Sequence, residues 1–307
     1  MKKKDFILAL LVVIMWGVNF TIIKIGLSGL PSMVLVALRY FFTAIPAIFF
    51  IKPPKIEIKL LILYGLTVGF GQFACLFYAM EIGMPAGLAS ILLQLHAFIS
   101  PILGTFIFQE KLKAEQVIGF IIAGLGLFFI GKASISNGVN YIPTFALFLT
   151  ILASTFWAIS NIIAKISSNK ANSNGEKLDT LALVVWSALI PPLPLLGMGL
   201  LLDSPLTIIK ALTNLTLPSI FSIIYLVVGA TLFGYGTWSE LLSKYPLGKI
   251  TPLALLIPVT GLLSARIILL EKLSILQWIG ALTILIGLII SNIDLKKIKS
   301  KEQGLKS

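Results

Sequence analysis

"WGVNFTIIK" occupies residues 16–24, and a second stretch of the same pattern, "WAISNIIAK", occupies residues 157–165. Both place a tryptophan, an asparagine and a lysine in a run that is otherwise apolar. The spacing from tryptophan to lysine is the same in both stretches. A polar pattern that recurs in this way predicts that the chain contains two related halves.

Further matches extend the repeat over most of the chain. A constant offset aligns the following pairs: Tyr64 with Tyr225, Pro85 with Pro246, Gly87 with Gly248, Glu110 with Glu271, Gln116 with Gln277, Gly119 with Gly280, and Gly126 with Gly287. Glu110 and Glu271 each begin the same tripeptide, "EKL". The opening tryptophans have a shorter offset, so the halves differ in loop length. We divide the chain into a first repeat, residues 1–135, a second repeat, residues 143–293, and a basic tail, residues 294–307.

Composition places both repeats in a membrane. Hydrophobic residues make up 58% of the 307 residues and charged residues only 12%, and the mean hydropathy of +1.02 is outside the range of soluble globular proteins. A helix needs about 20 apolar residues to cross the ~30 Å hydrocarbon layer. Ten runs come close to that length: 6–28, 31–51, 60–80, 85–108, 115–131, 143–166, 180–202, 217–240, 247–270 and 275–293. We predict an all-α polytopic membrane protein with ten transmembrane helices.

The number of spans in each repeat predicts their relative orientation. Because five is odd, the second repeat enters the membrane upside down relative to the first, which gives an inverted repeat. Two such halves can exchange conformations, and the exchange opens a central cavity first to one side and then to the other. The sequence therefore predicts a carrier that works by alternating access.

The formal net charge of +12 comes mainly from lysines in short loops and at both ends of the chain. They concentrate at the N-terminus, in the tail and in the loops that follow the even-numbered spans. This asymmetry follows the positive-inside rule and predicts that both termini lie in the cytoplasm. Scattered short loops without aromatic residues do not form a nucleic-acid surface, so we expect contact with the lipid bilayer and none with nucleic acid.

The sequence lacks the usual signatures of enzymes and metal sites. Cys75 is the only cysteine and His96 the only histidine, so neither an internal disulfide nor a cysteine-based metal site can form. No phosphate-binding loop, nucleophile elbow or zinc-protease motif occurs. We expect no enzymatic activity, no cofactor and no bound metal.

Polar and aromatic side chains deep in the spans mark the expected substrate site. Counting ~1.5 Å per helical residue places ten of them along a central cavity: Asn19, Arg39, Gln72, Gln94, His96, Trp157, Asn161, Trp186, Tyr235 and Trp238. Polar residues inside a membrane line cavities or pair with each other. The two asparagines would also fit hydrogen bonding between helices, and Trp186 would also fit packing.

Lys24 and Lys165 lie nearer the span ends and are candidates for a gate or an interface. Their long side chains would also reach water by snorkelling. The deep set of amides, one arginine, one histidine and aromatic rings, without a deep carboxylate, suits a small zwitterionic or polar metabolite. The guanidinium would take a carboxylate, and aromatic faces would take an ammonium group.

With these motifs, the chain resembles the drug/metabolite transporter superfamily of the EamA type, and within it the bacterial O-acetylserine/cysteine exporters. The resemblance rests on "LALLVVIMWGVNFTIIKIGL", "YGLTVGFGQFACLF", "GMPAGLASILLQ", "GATLFGYGTWSELLSKY" and "PLALLIPVTGLLSA". It implies a carrier in the bacterial inner membrane that exports small amino-acid-type metabolites. It also implies that the first four helices of each repeat form the cavity, with Asn19, Arg39, Gln72, Gln94 and Trp157 on that side of the fold.

One position departs from the pattern of this subgroup, since His96 stands where the resemblance implies a glutamine. Two hypotheses follow for the driving force: facilitated export down a metabolite gradient, and proton antiport through His96, whose ordinary pKa is near neutrality. A permease for drugs or other small metabolites is the alternative function within the same fold. A channel or a non-transporting membrane protein is the alternative of a different class.

Overall fold

The structure, a computed structural model, describes residues 1–135 and 141–292. These residues form helices and connecting loops, with no β-strand in the described ranges. The basic tail predicted for residues 294–307 lies outside them. The helices of the first repeat are α1 Lys3–Gly26, α2 Ser32–Phe49, α3 Ile58–Glu81, α4 Ala86–Phe108 and α5 Ala114–Ile135.

The second repeat follows the same order with more interruptions. Its helices are α6 Thr144–Ser173, α7 in two parts, Thr180–Ser187 and Pro192–Leu202, α8 Leu217–Lys244, α9 Ile257–Ile268 and α10 Ile275–Asn292. A short helix, Pro205–Thr213, joins α7 to α8. One helical turn, Leu247–Ile250, and a 3₁₀ segment, Thr251–Leu256, precede α9.

Helix length and apolarity confirm the all-α polytopic membrane class. In the described part of the chain, eight helices are long and apolar enough to cross a membrane, and the two parts of α7 make a ninth span. The run predicted at 247–270 yields a shorter apolar helix, Pro252–Ile268, because its two prolines lack the N–H that regular helical bonding requires. The tenth crossing therefore stays a prediction.

The span predicted at 180–202 corresponds to α7, which bends by 45° between its two parts. Pro191 lies in the break and Pro192 begins the second part, and neither proline can donate a backbone hydrogen bond to the preceding turn. A similar break interrupts α2, where Pro46 is followed by a 3₁₀ turn, Ala47–Phe49. Proline thus interrupts the second helix of both repeats.

Loop contacts show which connections share an end of the bundle. At one end, Lys170 pairs with Glu57 at 2.6 Å, and Tyr245 donates to the Asp5 carboxylate at 2.6 Å. We call this the basic end, because it carries the N-terminus and the loops after α2, α4, α6 and α8. The loops after α1, α3, α7 and α9 lie at the opposite end, where the Ser32 hydroxyl donates to Glu81 at 2.6 Å.

Glycines allow α5 and α10 to pack with their backbones in contact. A Cβ added at Gly119 would lie 2.6 Å from the Gly287 carbonyl oxygen, and one added at Gly287 would lie 2.6 Å from that of Gly119. The pair Gly126 and Gly280 shows the same reciprocity at the same distance. These are the glycines that the sequence repeat aligns, so the two helices meet as equivalents related by a pseudo-two-fold axis.

The rest of the bundle positions the polar residues around α1. At the opposite end α1 packs against α9, where the Thr21 and Ser264 hydroxyls lie 2.8 Å apart in a buried contact. Helix α1 also packs against α8 along its length, where the Ser222 hydroxyl donates to the Ile22 carbonyl oxygen at 3.1 Å, and α6 packs against α3 and α4. Large apolar side chains such as Phe106, Leu201 and Ile267 point outward and are mostly exposed, as expected for a surface that faces lipid.

Candidate functional site

A buried arginine forms the centre of the first polar group. Arg39 in α2 is only 4% exposed, and its Nη2 donates to the Thr231 hydroxyl of α8 at 3.2 Å. Its guanidinium carbon lies 4.2 Å from the ring centroid of Phe73 in α3, a cation–π distance. We call these side chains, together with Thr43 and Gln72, the arginine pocket.

Several polar atoms in this region are buried without a hydrogen-bond partner. Within the described residues they are Arg39 Nε and Nη1, Asn19 Oδ1, Thr43 Oγ1 and Gln72 Oε1. All belong to α1, α2 or α3. A buried polar group without a partner costs about 1–3 kcal/mol, and more when it is charged, so these five atoms on three helices indicate room for a polar ligand.

A second polar group joins α4 to α6. The Asn161 amide Nδ2 lies 3.3 Å from His96 Nδ1 and donates to the Ser100 hydroxyl at 3.2 Å. The imidazole packs against Trp157 with ring centroids 3.8 Å apart and ring planes tilted by 32°. These four half-buried side chains form the imidazole–amide cluster, which brings together three of the residues predicted from depth.

Aromatic rings from α1 and α8 form a third group. Trp16 lies 5.4 Å from Tyr235 and 5.2 Å from Trp238, measured between ring centroids. Its indole N–H donates to the Ala230 carbonyl oxygen at 2.8 Å, which fixes the ring. The contact brings the tryptophan of the opening motif together with the two aromatic residues predicted in α8.

Two π-helical segments shape the region around the arginine pocket. They run over Gly65–Gln72 in α3 and Tyr225–Phe233 in α8, at nearly equivalent positions of the repeats. The wider turn lets the Thr231 hydroxyl donate to the Leu226 carbonyl oxygen at 2.8 Å, five residues earlier, while it accepts from Arg39. Such segments within α-helices are frequent at functional sites.

Helix α3 lies between the arginine pocket and the imidazole–amide cluster. A Cβ added at Gly71 would lie 2.6 Å from the Phe156 ring of α6, so α3 and α6 are in close contact beside Trp157. Two positions later, Phe73 lies against the guanidinium. The segment of α3 from Gly71 to Phe73 therefore contacts both α6 and the guanidinium of Arg39.

The remaining predicted residues lie elsewhere. The Lys24 ammonium donates to the Met80 carbonyl oxygen at the opposite end, and Lys165 pairs with Glu110 at 2.5 Å at the basic end. Trp186 lies apart from the three groups, with its indole N–H donating to the Ile51 carbonyl oxygen at 2.9 Å. Gln94 is buried in a 3₁₀ turn of α4.

Sequence reasoning missed four residues of these groups: Phe73, Ser100 and Thr231, which contact predicted residues, and Thr43. Two of them had a local signal, since Thr43 stands four positions after Arg39 and Ser100 stands four positions after His96 on the same helix face. The other two, Phe73 and Thr231, reach Arg39 from helices whose packing no local pattern reveals. No group of side chains suited to hold a metal ion occurs in the described part of the chain.

The fold and these groups define a polytopic helical membrane protein with a buried polar site. The model of the EamA-like transporter family matches residues 4–132 and again residues 144–293. The chain therefore belongs to the EamA-like transporter family.

Two relatives and one solved structure resemble nearly the whole chain. A "Probable amino-acid metabolite efflux pump" of Escherichia coli K12 is 42% identical over 99% of this chain and 100% of its own length. A protein of the same name from Salmonella typhimurium is 44% identical over 95% of both chains. A crystal structure at 14% identity has a TM-score of 0.61 and covers 95% of this chain and 97% of its own, a likeness of fold alone.

Proposed function

We propose that this protein is a carrier of the bacterial inner membrane that exports small amino-acid-type metabolites of the O-acetylserine/cysteine kind by alternating access. The observation that carries the proposal is Arg39, a buried guanidinium in which two nitrogens, Nε and Nη1, have N–H groups that no described residue accepts. The names of the two efflux-pump relatives, which cover almost the whole chain, support the direction and the class of substrate.

A substrate carboxylate would satisfy the arginine pocket. Guanidinium and carboxylate match in a bidentate geometry, and the Thr43 hydroxyl on the same helix face can donate a further bond. Asn19 and Gln72 offer amide oxygens that lack donors, which suits an ammonium group. The chemistry favours a zwitterion with both charges in one small molecule.

Alternating access is supported by the equivalence of the two halves. The reciprocal glycine contacts of α5 and α10 are those of an inverted pair, and one family model matches each half. The lysines at the basic end support a cytoplasmic location of that end, with both termini, under the positive-inside rule.

The proposal is tested by counterflow in proteoliposomes loaded with unlabelled O-acetylserine or cysteine. We expect saturable entry of the labelled compound, and loss of that entry in Arg39→Gln. Lys52→Gln, which removes one positive charge from an exposed loop, is the matched control and should transport like the original protein. Uptake that does not saturate would indicate a channel. Exchange of apolar drugs but not of zwitterions would favour the drug permease instead.

A further inference from the structure

The "EKL" glutamates of the two repeats occupy different positions in this structure. Glu271 accepts from the backbone N–H of Ala86 at 2.7 Å and from that of Gly87 at 3.0 Å, one bond to each carboxylate oxygen. A carboxylate of the second repeat thus caps α4, a helix of the first repeat, at the opposite end. Negative charge is favourable at the start of a helix, because it satisfies free N–H groups and the helix dipole.

Glu110, the equivalent residue of the first repeat, has a different partner at the basic end. Its carboxylate pairs with Lys165 of the second repeat at 2.5 Å. The Lys165 ammonium also lies 4.5 Å from the Phe108 ring centroid. The two charged side chains are 41% and 53% exposed, so this ion pair is open to water.

Lys24, which the opening motif aligns with Lys165, stands near the glutamate at the opposite end. It interacts electrostatically with Glu271 and with Glu81, while its ammonium donates to Met80. Each end therefore holds one lysine of the opening motif and one "EKL" glutamate from the other repeat. At the opposite end the glutamate caps backbone amides, and at the basic end it bonds the lysine.

We propose that Glu271 and Glu110 are alternating latches that exchange between a cap and a lysine. In the structure, Glu271 is on its cap at the opposite end, while Lys165 holds Glu110 off its cap. We take this state as the one that opens toward the basic end. The inference rests on the alternating access proposed above.

In the other state the roles reverse. Glu110 caps the backbone amides of Leu247 and Gly248, the positions that the repeat aligns with Ala86 and Gly87, and Glu271 moves to Lys24. The proline before each pair, at positions 85 and 246, is part of the same aligned pattern. Lys24 and Lys165, the lysines of the two opening motifs, are thus the residues that bond each glutamate when it is off its cap.

The closed contacts at the opposite end fit this state. Beside the capped start of α4, the Ser90 hydroxyl lies 3.4 Å from the Pro258 carbonyl oxygen, and a Cβ at Gly261 would collide with Ser90. Thr21 and Ser264 are buried against each other one turn further along α9. Release of Glu271 would free α4 from the loop that precedes α10 and let these contacts separate.

The latch differs from an ordinary surface ion pair in one testable respect. Lys165→Ala and Glu110→Ala break the same ion pair, so a role in simple pairing predicts the same effect for both. In the latch, Lys165→Ala frees Glu110 to form its cap and favours the other state. Glu110→Ala removes that cap and favours the state described here. The two variants should therefore act in opposite directions.

The experiment measures maleimide labelling of single cysteines in a Cys75→Ser background, in nanodiscs without substrate. Ser264→Cys reports opening of the opposite end, and Ser100→Cys reports opening of the basic end. We expect faster labelling of Ser264→Cys and slower labelling of Ser100→Cys in Lys165→Ala and in Glu271→Ala. In Glu110→Ala we expect slower labelling of Ser264→Cys and faster labelling of Ser100→Cys. About a tenfold change in the ratio of the rates corresponds to the loss of one charge-assisted bond.

Glu240→Ala is the matched control, because it breaks an exposed ion pair with Lys244 on the same helix and should leave the ratio unchanged. The latch is overturned if Lys165→Ala and Glu110→Ala shift the ratio in the same direction, or if Glu271→Ala does not accelerate labelling of the Ser264→Cys reporter. Labelling needs no substrate, so an error in the proposed substrate would fail in counterflow and leave this result unaffected.

Discussion

Thr43 carries a fully buried hydroxyl that has no hydrogen-bond partner among the described residues. A buried hydroxyl that serves stability is normally bonded. Thr43 lies one turn after Arg39 on the same helix, and the arginine also has free donors. The two side chains fit a site whose hydrogen bonds are completed by substrate.

Thr43→Val, which keeps the shape and removes the hydroxyl, should separate binding from stability. We expect the half-saturating substrate concentration to rise about fivefold to tenfold, equal to roughly 1 kcal/mol, while the melting temperature stays the same or rises. Thr150→Val is the matched control, because that buried hydroxyl donates to Ala146 and its loss should lower stability without changing affinity. Equal destabilisation by both variants, with unchanged affinity, would contradict a substrate role for Thr43.

His96 tests whether export is coupled to protons. Its Nδ1 faces the Asn161 amide and its ring lies on Trp157, an arrangement in which the imidazole serves as a neutral hydrogen-bond acceptor. A glutamine offers the same kind of acceptor. We therefore expect His96→Gln to support counterflow at the original rate, and an imposed pH gradient to drive no transport in either protein. Transport driven by the gradient in the original protein and lost in His96→Gln would establish antiport.

Depth along each span was enough to predict Arg39, Asn19 and Gln72 as buried polar residues. It was not enough to predict their partners. Thr231 and Phe73 reach the arginine from two other helices, and nothing in their neighbouring residues indicates that contact. Depth also led to a residue that belongs to none of the three groups. Trp186 has the expected depth, but its indole N–H donates to the Ile51 carbonyl oxygen.

Apolar run length predicted most helices closely, as with 217–240 against the observed Leu217–Lys244. It did not predict how the helices are interrupted. The bend of α7 follows from adjacent prolines that are visible in the sequence. The π-helical segments of α3 and α8 have no comparable signal, because they depend on how neighbouring helices pack around them.

The contact of α5 with α10 can be tested by adding one methyl group. Gly126→Ala places a Cβ 2.6 Å from the Gly280 carbonyl oxygen, and overpacking of this kind costs about 1–3 kcal/mol. We expect a lower melting temperature with little change in substrate affinity. Gly124→Ala on the same helix meets nothing within 4 Å and should be neutral or slightly stabilising. Equal stability of both variants would contradict the close packing of these helices.

The offset between the repeats aligned the glycines that meet across the pseudo-two-fold axis, but it predicted neither their contact nor the asymmetry of the site. The "IP" pair at Ile45 and Ile190 aligns Arg39 with Val184, a buried residue without charge. The unpartnered buried atoms of the described residues likewise lie in the first repeat alone. The two halves thus share the same arrangement of helices, while the first repeat alone carries the proposed carboxylate site.

The most direct measurement is a double cycle of binding constants, determined by calorimetry in detergent. It compares O-acetylserine with the analogue that lacks the carboxylate, and each compound is bound to the original protein and to Arg39→Gln. If the carboxylate binds Arg39, the losses from removing either partner should overlap, with a coupling of about 1.5–3 kcal/mol. Additive losses would contradict the account, because they would show that the carboxylate and the guanidinium do not meet.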